Sequence, residues 1–284
     1  MTVADRLAEA RRALEAAGVA AADATLDAEL LARTALGWDR ASLVANLRQP
    51  YDDSAEPRLA ALLARRGRRE PVAYILGERE FWGIPFEVNP SVLVPRPETE
   101  LIVEEALALY GDARPPASIV DACTGSGCLA VALAREFSGA AVTATDVSEP
   151  ALEVARRNAA RHGVASRIDF RLADLLHGID SRVELIVANP PYVAQHEAAQ
   201  LSPEVRDNEP SVALFAGDDG LAIYRRLLPD ARGRLTRRGH LIVEIGAGQH
   251  DALAAMADEH RFRIDHTRRD LQGIVRTLVF SGDD

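Results

Sequence analysis

From residue 118 onward the sequence alternates short apolar runs with amphipathic stretches, and few folds accommodate that rhythm. "SIVDAC" leads into "TGSG" and a helical pattern over 128–137, and "AVTATD" is followed by a helical pattern over 149–162. "IDFRLAD" and "VELIVANPPY" come next, then a helical stretch over 219–235 and the run "GHLIVEIG". Apolar runs separated by amphipathic helices predict strands buried on both faces and joined by crossovers. The expected fold class is therefore α/β, a doubly wound, mostly parallel sheet. The tail "FRIDHTRRDLQGIVRTLVFSG" holds two more strands with too little chain between them for a crossover helix, which predicts a terminal antiparallel hairpin.

Ahead of the sheet the texture differs. Residues 1–70 are rich in Ala, Leu and Arg and poor in β-branched residues, which predicts a small helical domain. Leu7, Ala10, Leu14 and Ala17 fall at helical spacing before Gly18, and Leu26, Leu30, Leu31 and Leu36 repeat the pattern. A third helix, "EPRLAALLARRGRR", closes at Gly67 and carries the cluster Arg65, Arg66, Arg68 and Arg69, which reads as a partner-docking patch or as a solvated helix end complementing its dipole. Residues 71–100 mix β-formers with Gly77, Gly83, Pro85, Pro90, Pro95 and Pro97 and read as a β-hairpin linker. Residues 101–284 form the sheet domain.

Bulk properties narrow the function. A net charge of −10 argues against a dedicated nucleic-acid binder. All 33 basic residues are arginine, so lysine chemistry is excluded. Two cysteines, Cys123 and Cys128, are too few for a disulfide framework and have no histidine cluster nearby, so a reduced pair without a metal is expected. The N-terminus shows no apolar signal region, and no apolar run approaches a membrane span. A cytoplasmic protein without membrane attachment is expected.

Three strand ends carry polar groups. "DACTGSGCLA", 121–130, stands at the first strand-to-helix turn, where glycines permit close backbone approach and the helix presents free N–H groups. Asp146 ends the next strand, 19 residues after Gly127, where a carboxylate can take both ribose hydroxyls; an N-cap for the following helix is the alternative. Asp174 ends the third strand, placed to accept from an adenine amino group or to cap a turn. Cys123 and Thr124 stand where a dinucleotide fingerprint has its first glycine, which weakens NAD against S-adenosylmethionine.

The fourth strand decides the chemistry. In "LIVANPPYVA" the residue before a proline is pushed to extended geometry, which projects Asn189 from the sheet edge. Pro190 and Pro191 have fixed φ and no N–H, so the ledge they form presents carbonyls. The Asn189 side-chain oxygen and the Pro190 carbonyl can accept the two protons of a planar –NH₂ group, turning its lone pair towards an electrophile. Tyr192 supplies a flat wall for that group. Catalysis would then be positioning and electrostatics around an in-line methyl transfer.

With these motifs the chain resembles the release factor-specific protein-(glutamine-N5) methyltransferases, the HemK family. "DACTGSGCLA" is similar to the family's cofactor loop and "NPPY" to its glutamine-binding motif. "EPVAYILGEREFWG" (70–83), "VLVPRPETE" (92–100), "EPSVALFAGDDGL" (209–221) and "RDLQGIVR" (269–276) are family-like as well. A sister group that methylates a ribosomal protein carries a signature more like "PRSP" where this chain reads Arg96, Pro97, Glu98. The resemblance implies a Rossmann-like fold, S-adenosylmethionine as donor, and the glutamine of the Gly-Gly-Gln loop of class I release factors as acceptor, with the helical domain docking the substrate. It puts Cys123, Thr124, Gly125, Ser126 and Gly127 at the methionyl part, Asp146 at the ribose, Asp174 and Leu175 beside the adenine, with Asn189 next to the cofactor. Asn189, Pro190, Pro191 and Tyr192 would hold the glutamine. Arg96 is a candidate for the methionyl carboxylate or the substrate loop, or for a salt bridge with Glu98 or Glu100. Phe81 and Trp82 either line the glutamine entrance or pack in the core. A monomer is expected. The enzymatic alternatives are an amino-methyltransferase acting on adenine or guanine of a nucleic acid, and one acting on a ribosomal-protein glutamine; a methyltransferase-like scaffold without turnover is the non-enzymatic one.

Overall fold

The computed structural model describes residues 1–111 and 114–282. Its contacts divide the chain into two units, Met1–Gly77 with Ser202–Asn208, and Glu78–Leu201 with Glu209–Asp284.

The first unit is helical: α1 (Val3–Ala16), α2 (Ala21–Leu36), α3 (Arg40–Ala45), α4 (Glu56–Gly67) and α5 (Val72–Leu76). Thr2 and Asp5 close a capping box on α1, and Gly37 ends α2 in the left-handed conformation. Val3, Leu31, Leu43, Leu59 and Ile75 pack one core cluster, while Ala10, Leu14, Val19, Ala24 and Ala28 pack another. Of the apolar stripe expected on α2, Leu31 is buried and Leu26 faces solvent. "VAYIL" forms a helical turn, not the strand its β-branched residues suggest. Ile75 joins the helical core, and Gly77 at φ +79° stops the turn before a strand begins.

Three of the four clustered arginines are engaged in ion pairs within this unit, and Arg68 is exposed. Arg66 is 4% exposed and pairs with Asp27 at 2.6 Å and with Glu204 at 2.9 Å. Arg69 also holds Glu204, at 2.7 Å, and Arg65 pairs with Glu70. The segment that carries Glu204 is thereby fastened to α2 and α4.

In the second unit, β1 (Glu78–Phe81) and β2 (Ile84–Glu87) form an antiparallel hairpin. After helix α6 (Glu100–Tyr110) come β3 (Ser118–Ala122), α7 (Cys128–Glu136), β4 (Ala141–Asp146), α8 (Glu149–Arg161), β5 (Ile168–Leu172) and β6 (Val183–Ala188). The short α9 (Pro203–Asn208) belongs to the first unit; α10 (Tyr224–Arg234), β7 (Leu235–Glu244), α11 (His250–Glu259), β8 (Phe262–Arg269) and β9 (Val275–Gly282) complete the second.

The main sheet has seven strands in the order β5-β4-β3-β6-β7-β9-β8. Pairing is parallel from β5 through β7; β9 runs antiparallel to β7, and β8 to β9. The expected doubly wound sheet and its terminal antiparallel hairpin are both present. Alternate strand residues serve opposite faces. Ile119, Leu185 and Ile242 pack with α6 and α7, whereas Val120, Ile186 and Val243 pack with α10 and α11. Strand order reverses between β3 and β6, and a crevice at the carboxyl ends of the strands opens at such a switch point.

Candidate active site

The loop after β3 is built around a buried carboxylate. Asp121 accepts from Thr124 Oγ1 at 2.6 Å and from the Ala130 N–H at 3.0 Å, through the same oxygen. Its other oxygen is buried without a hydrogen-bond partner among the described residues. Burial pushes this carboxyl up to about 7, against the pull of those two hydrogen bonds. Cys123, Gly125 and Gly127 all take positive φ, so the turn folds back over β3. Gly127 has a second constraint, because a Cβ there would stand 2.9 Å from the Ala155 Cβ. Asn158 of α8, fully buried, donates to the Ser126 carbonyl at 2.9 Å and locks the loop from behind.

Asp146 ends β4 and holds that loop with one oxygen, accepting from the Gly125 N–H at 2.9 Å; the other accepts from the Ser148 N–H at 2.9 Å. Burial raises its pKa. The N-cap of α8 is Ser148, so the capping alternative for Asp146 does not hold. Each carboxylate oxygen has a second lone pair, which leaves Asp146 free to accept two more protons. Asp174 is exposed and pairs with Arg226 of α10 instead of capping a turn with its side chain. Leu175, at φ +50°, turns its carbonyl to Thr145 Oγ1 at 2.7 Å and is 3% exposed.

These strand ends enclose one cavity of about 240 Å³, lined by Cys123, Asp146, Asp174, Leu175, Asn189 and Pro191, with Val212, Ala213, Ile223 and Arg226 closing it. Asn189 donates from Nδ2 to Thr99 Oγ1 at 3.0 Å. Pro190 is buried beside it. Among the described residues no donor reaches the Asn189 amide oxygen or the Pro190 carbonyl. The Tyr192 hydroxyl donates to Glu244 Oε1 at 3.1 Å. Gly220, at φ +74°, permits a close approach here: a Cβ on it would stand 2.3 Å from the Tyr192 carbonyl oxygen.

Other candidates lie elsewhere. Phe81 is 1% exposed and packs edge-on to Phe86 with ring centroids 6.0 Å apart, so it lines no glutamine entrance. Trp82 is partly buried beside it and donates from Nε1 to Glu136 at 2.7 Å. Arg96 pairs with neither Glu98 nor Glu100. Its partner is Glu209 at 2.5 Å, which also accepts from the Val94 N–H. That pair ties "VLVPRPETE" to the start of "EPSVALFAGDDGL", whose Leu214 and Phe215 run beside Val193.

Residues 5–77 match the family model described as the PrmC N-terminal domain, and residues 103–205 match the methyltransferase small domain. A release factor glutamine methyltransferase of Cereibacter sphaeroides is 45% identical over 91% of this chain and 90% of that protein. The chain belongs to this family. A second relative of the same description, from Geobacter sulfurreducens, is 42% identical over 90% of this chain and 89% of its own. The fold is also that of a methyltransferase from Pyrococcus furiosus, with a TM-score of 0.54 at 18% identity, covering 80% of this chain and all of that one. Membership sets the described cavity in a methyltransferase domain.

Thr99, Glu244, Asp121 and Arg226 also build this region, although no motif in the sequence singles them out. Glu244 is 1% exposed and accepts from Thr99 Oγ1 at 2.5 Å as well as from Tyr192. The available signal was a carboxylate inside the apolar run "LIVEIG", a residue that is costly to bury without partners.

Proposed function

We propose that this protein transfers a methyl group from S-adenosylmethionine to the side-chain amide nitrogen of a glutamine in peptide-chain release factors, the Gly-Gly-Gln glutamine of the class I factors. The observation that carries this reading is the unmatched acceptor pair of Asn189, on the wall of the cavity, and the adjoining Pro190, with Asp146 and Asp174 lining the same cavity at the end of β4 and just beyond β5. The residues fit the donor. Asp146 keeps acceptor capacity for a ribose, and Asp174 and Leu175 flank the space where an adenine would lie. Thr124 to Gly127 form the turn that would meet the methionyl part; a Cβ at Gly125 would meet nothing within 4 Å, so the space above it is open. S-adenosylmethionine supplies an electrophilic methyl group.

Asn189 and Pro190 accept the two amide protons of the glutamine and so hold its plane. Pro191 stiffens that edge, and the Tyr192 ring packs beside it, fixed by its bond to Glu244. Held this way the amide nitrogen faces the methyl donor, and the rate gain is one of orientation and fixed dipoles. Arg96, held by Glu209, ties together the loops around the site. No described helix is long and apolar enough to cross a membrane, and a translation factor as substrate is in keeping with work in the cytoplasm.

The test is Asn189→Ala. It abolishes methylation of a release factor while calorimetric binding of S-adenosylmethionine changes by no more than about fivefold, the worth of one hydrogen bond of about 1 kcal/mol. Retained turnover would sink the acceptor mechanism.

A further inference from the structure

The signature "VLVPRPETE" and the run "GHLIVEIG" meet at Asn189, and the hydrogen bonds there have a direction. Asn189 Nδ2 donates to Thr99 Oγ1 at 3.0 Å, Thr99 Oγ1 donates to Glu244 Oε2 at 2.5 Å, and the Tyr192 hydroxyl donates to Glu244 Oε1 at 3.1 Å. An ionised carboxylate only accepts. Glu244 therefore draws the Thr99 proton to itself, and the hydroxyl has only lone pairs left for Asn189. The amide must meet Thr99 with its NH₂ and keep its oxygen for another partner.

We propose that Glu244, acting through Thr99, is the positioning residue that holds the Asn189 amide with its oxygen presented to the substrate glutamine, and that protonation of Glu244 releases that hold. The proposal rests on the reading of Asn189 and Pro190 as the acceptor pair. With a proton on Oε2, Glu244 donates to Thr99, and the Thr99 proton turns towards Asn189. The amide then flips to accept it and meets the glutamine NH₂ donor to donor. Transfer slows without any loss of cofactor contacts.

The surroundings of Glu244 suit such a switch. Tyr192 and Tyr224 face it, and the Tyr224 hydroxyl donates to the Glu244 carbonyl at 2.6 Å. Glu98, Arg276 and Cys128 are further titratable or charged groups beside it, and Arg276 is itself held by Asp270 at 3.0 Å. Burial lifts the carboxyl to about 7; the Thr99 and Tyr192 hydrogen bonds and the Arg276 charge pull it back, and the Glu98 charge pushes it further up. The chain is thus in its holding state above that value and in its released state below it.

The experiment measures single-turnover methylation of a release factor from pH 5.5 to 9, with S-adenosylmethionine affinity and melting temperature for each variant. The wild-type rate is expected to rise through about 7. Glu244→Gln can offer an NH₂ to Thr99, which mimics the protonated acid, so it is expected to be slower by about tenfold at pH 8.5, the worth of one hydrogen bond of about 1.4 kcal/mol. Its profile lacks the wild-type rise, and its cofactor affinity is unchanged. Asp121 titrates in the same range but is identical in both proteins, so the difference between the two profiles belongs to Glu244. Thr99→Val loses the same factor and Thr99→Ser restores it. Should Thr99→Val fail to fold, Thr99→Ser and Glu244→Gln carry the comparison. A folded Glu244→Gln or Thr99→Val at wild-type rate, or a Glu244→Gln profile with the wild-type shape, overturns the proposal. Asn189→Ala runs alongside: if it keeps turnover, the acceptor reading fails first; if it is inactive while the Thr99 and Glu244 variants are unimpaired, only this proposal fails.

Discussion

Gly127 shows how tightly the loop after β3 is specified at the level of one residue. Its φ of +79° disfavours any side chain, and a Cβ would press on Ala155 at 2.9 Å, backbone of α8 lying just behind. Gly127→Ala combines a left-handed strain of about 1–2 kcal/mol with a contact that must give. It should lower the melting temperature by roughly 2–4 °C per kcal/mol for a domain of this size, read by differential scanning. Asp146 braces the Gly125 N–H, and the proposed function gives it the ribose as a second partner. Asp146→Asn keeps an acceptor but cannot accept everywhere a carboxylate does. It should weaken S-adenosylmethionine binding by about tenfold, and an unchanged calorimetric affinity would remove the ribose from this position.

At the scale of elements, the Glu204 segment is the clearest case of a tertiary constraint overriding local pattern. Arg66→Ala would leave the buried Asp27 without its partner while Glu204 keeps Arg69, and breaking a buried pair costs about 3–5 kcal/mol, visible as a lowered urea midpoint. Burial alone would raise the Glu204 carboxyl, but the Arg69 and Arg66 hydrogen bonds outweigh it and hold it down to about 2. A depressed carboxyl contributes stability above its unfolded value, and that contribution is lost as pH falls towards 2. Wild type should therefore lose more stability than Glu204→Gln between pH 5 and 2.5; parallel curves would contradict the pairing. None of this was legible locally, because "ARRGRR" finds Glu204 more than 130 residues away. The strand ends were legible, since Asp146 and Asn189 close apolar runs that no strand needs to close with a polar group. Helix α6 was not, because "ELIVEEALALY" buries the charged Glu105 beside the apolar face of Ile102, Val103, Ala106 and Tyr110, directly behind a proline-rich stretch. Thr99 and Glu244 were missed for the same reason as Glu204: their meaning lies in a contact 145 residues long.

For the whole molecule, an acidic chain of net charge −10 that recognises a protein should feel salt differently from a nucleic-acid enzyme. A protein making six to ten phosphate contacts loses roughly 10³- to 10⁵-fold in affinity between 50 and 200 mM salt. Binding of a release factor should change by less than about tenfold over that range, and a steep slope in a filter or fluorescence titration would point to a nucleobase acceptor. The fold class followed from strand–helix alternation alone, and the boundary of the helical unit at Gly77 followed only once α5 was seen to pack with it. The most direct measurement is peptide mass spectrometry of a class I release factor incubated with this protein and S-adenosylmethionine. One added methyl on the glutamine of Gly-Gly-Gln, absent when Asn189→Ala replaces the wild type, is the predicted result. An unmodified glutamine with cofactor binding intact would contradict it.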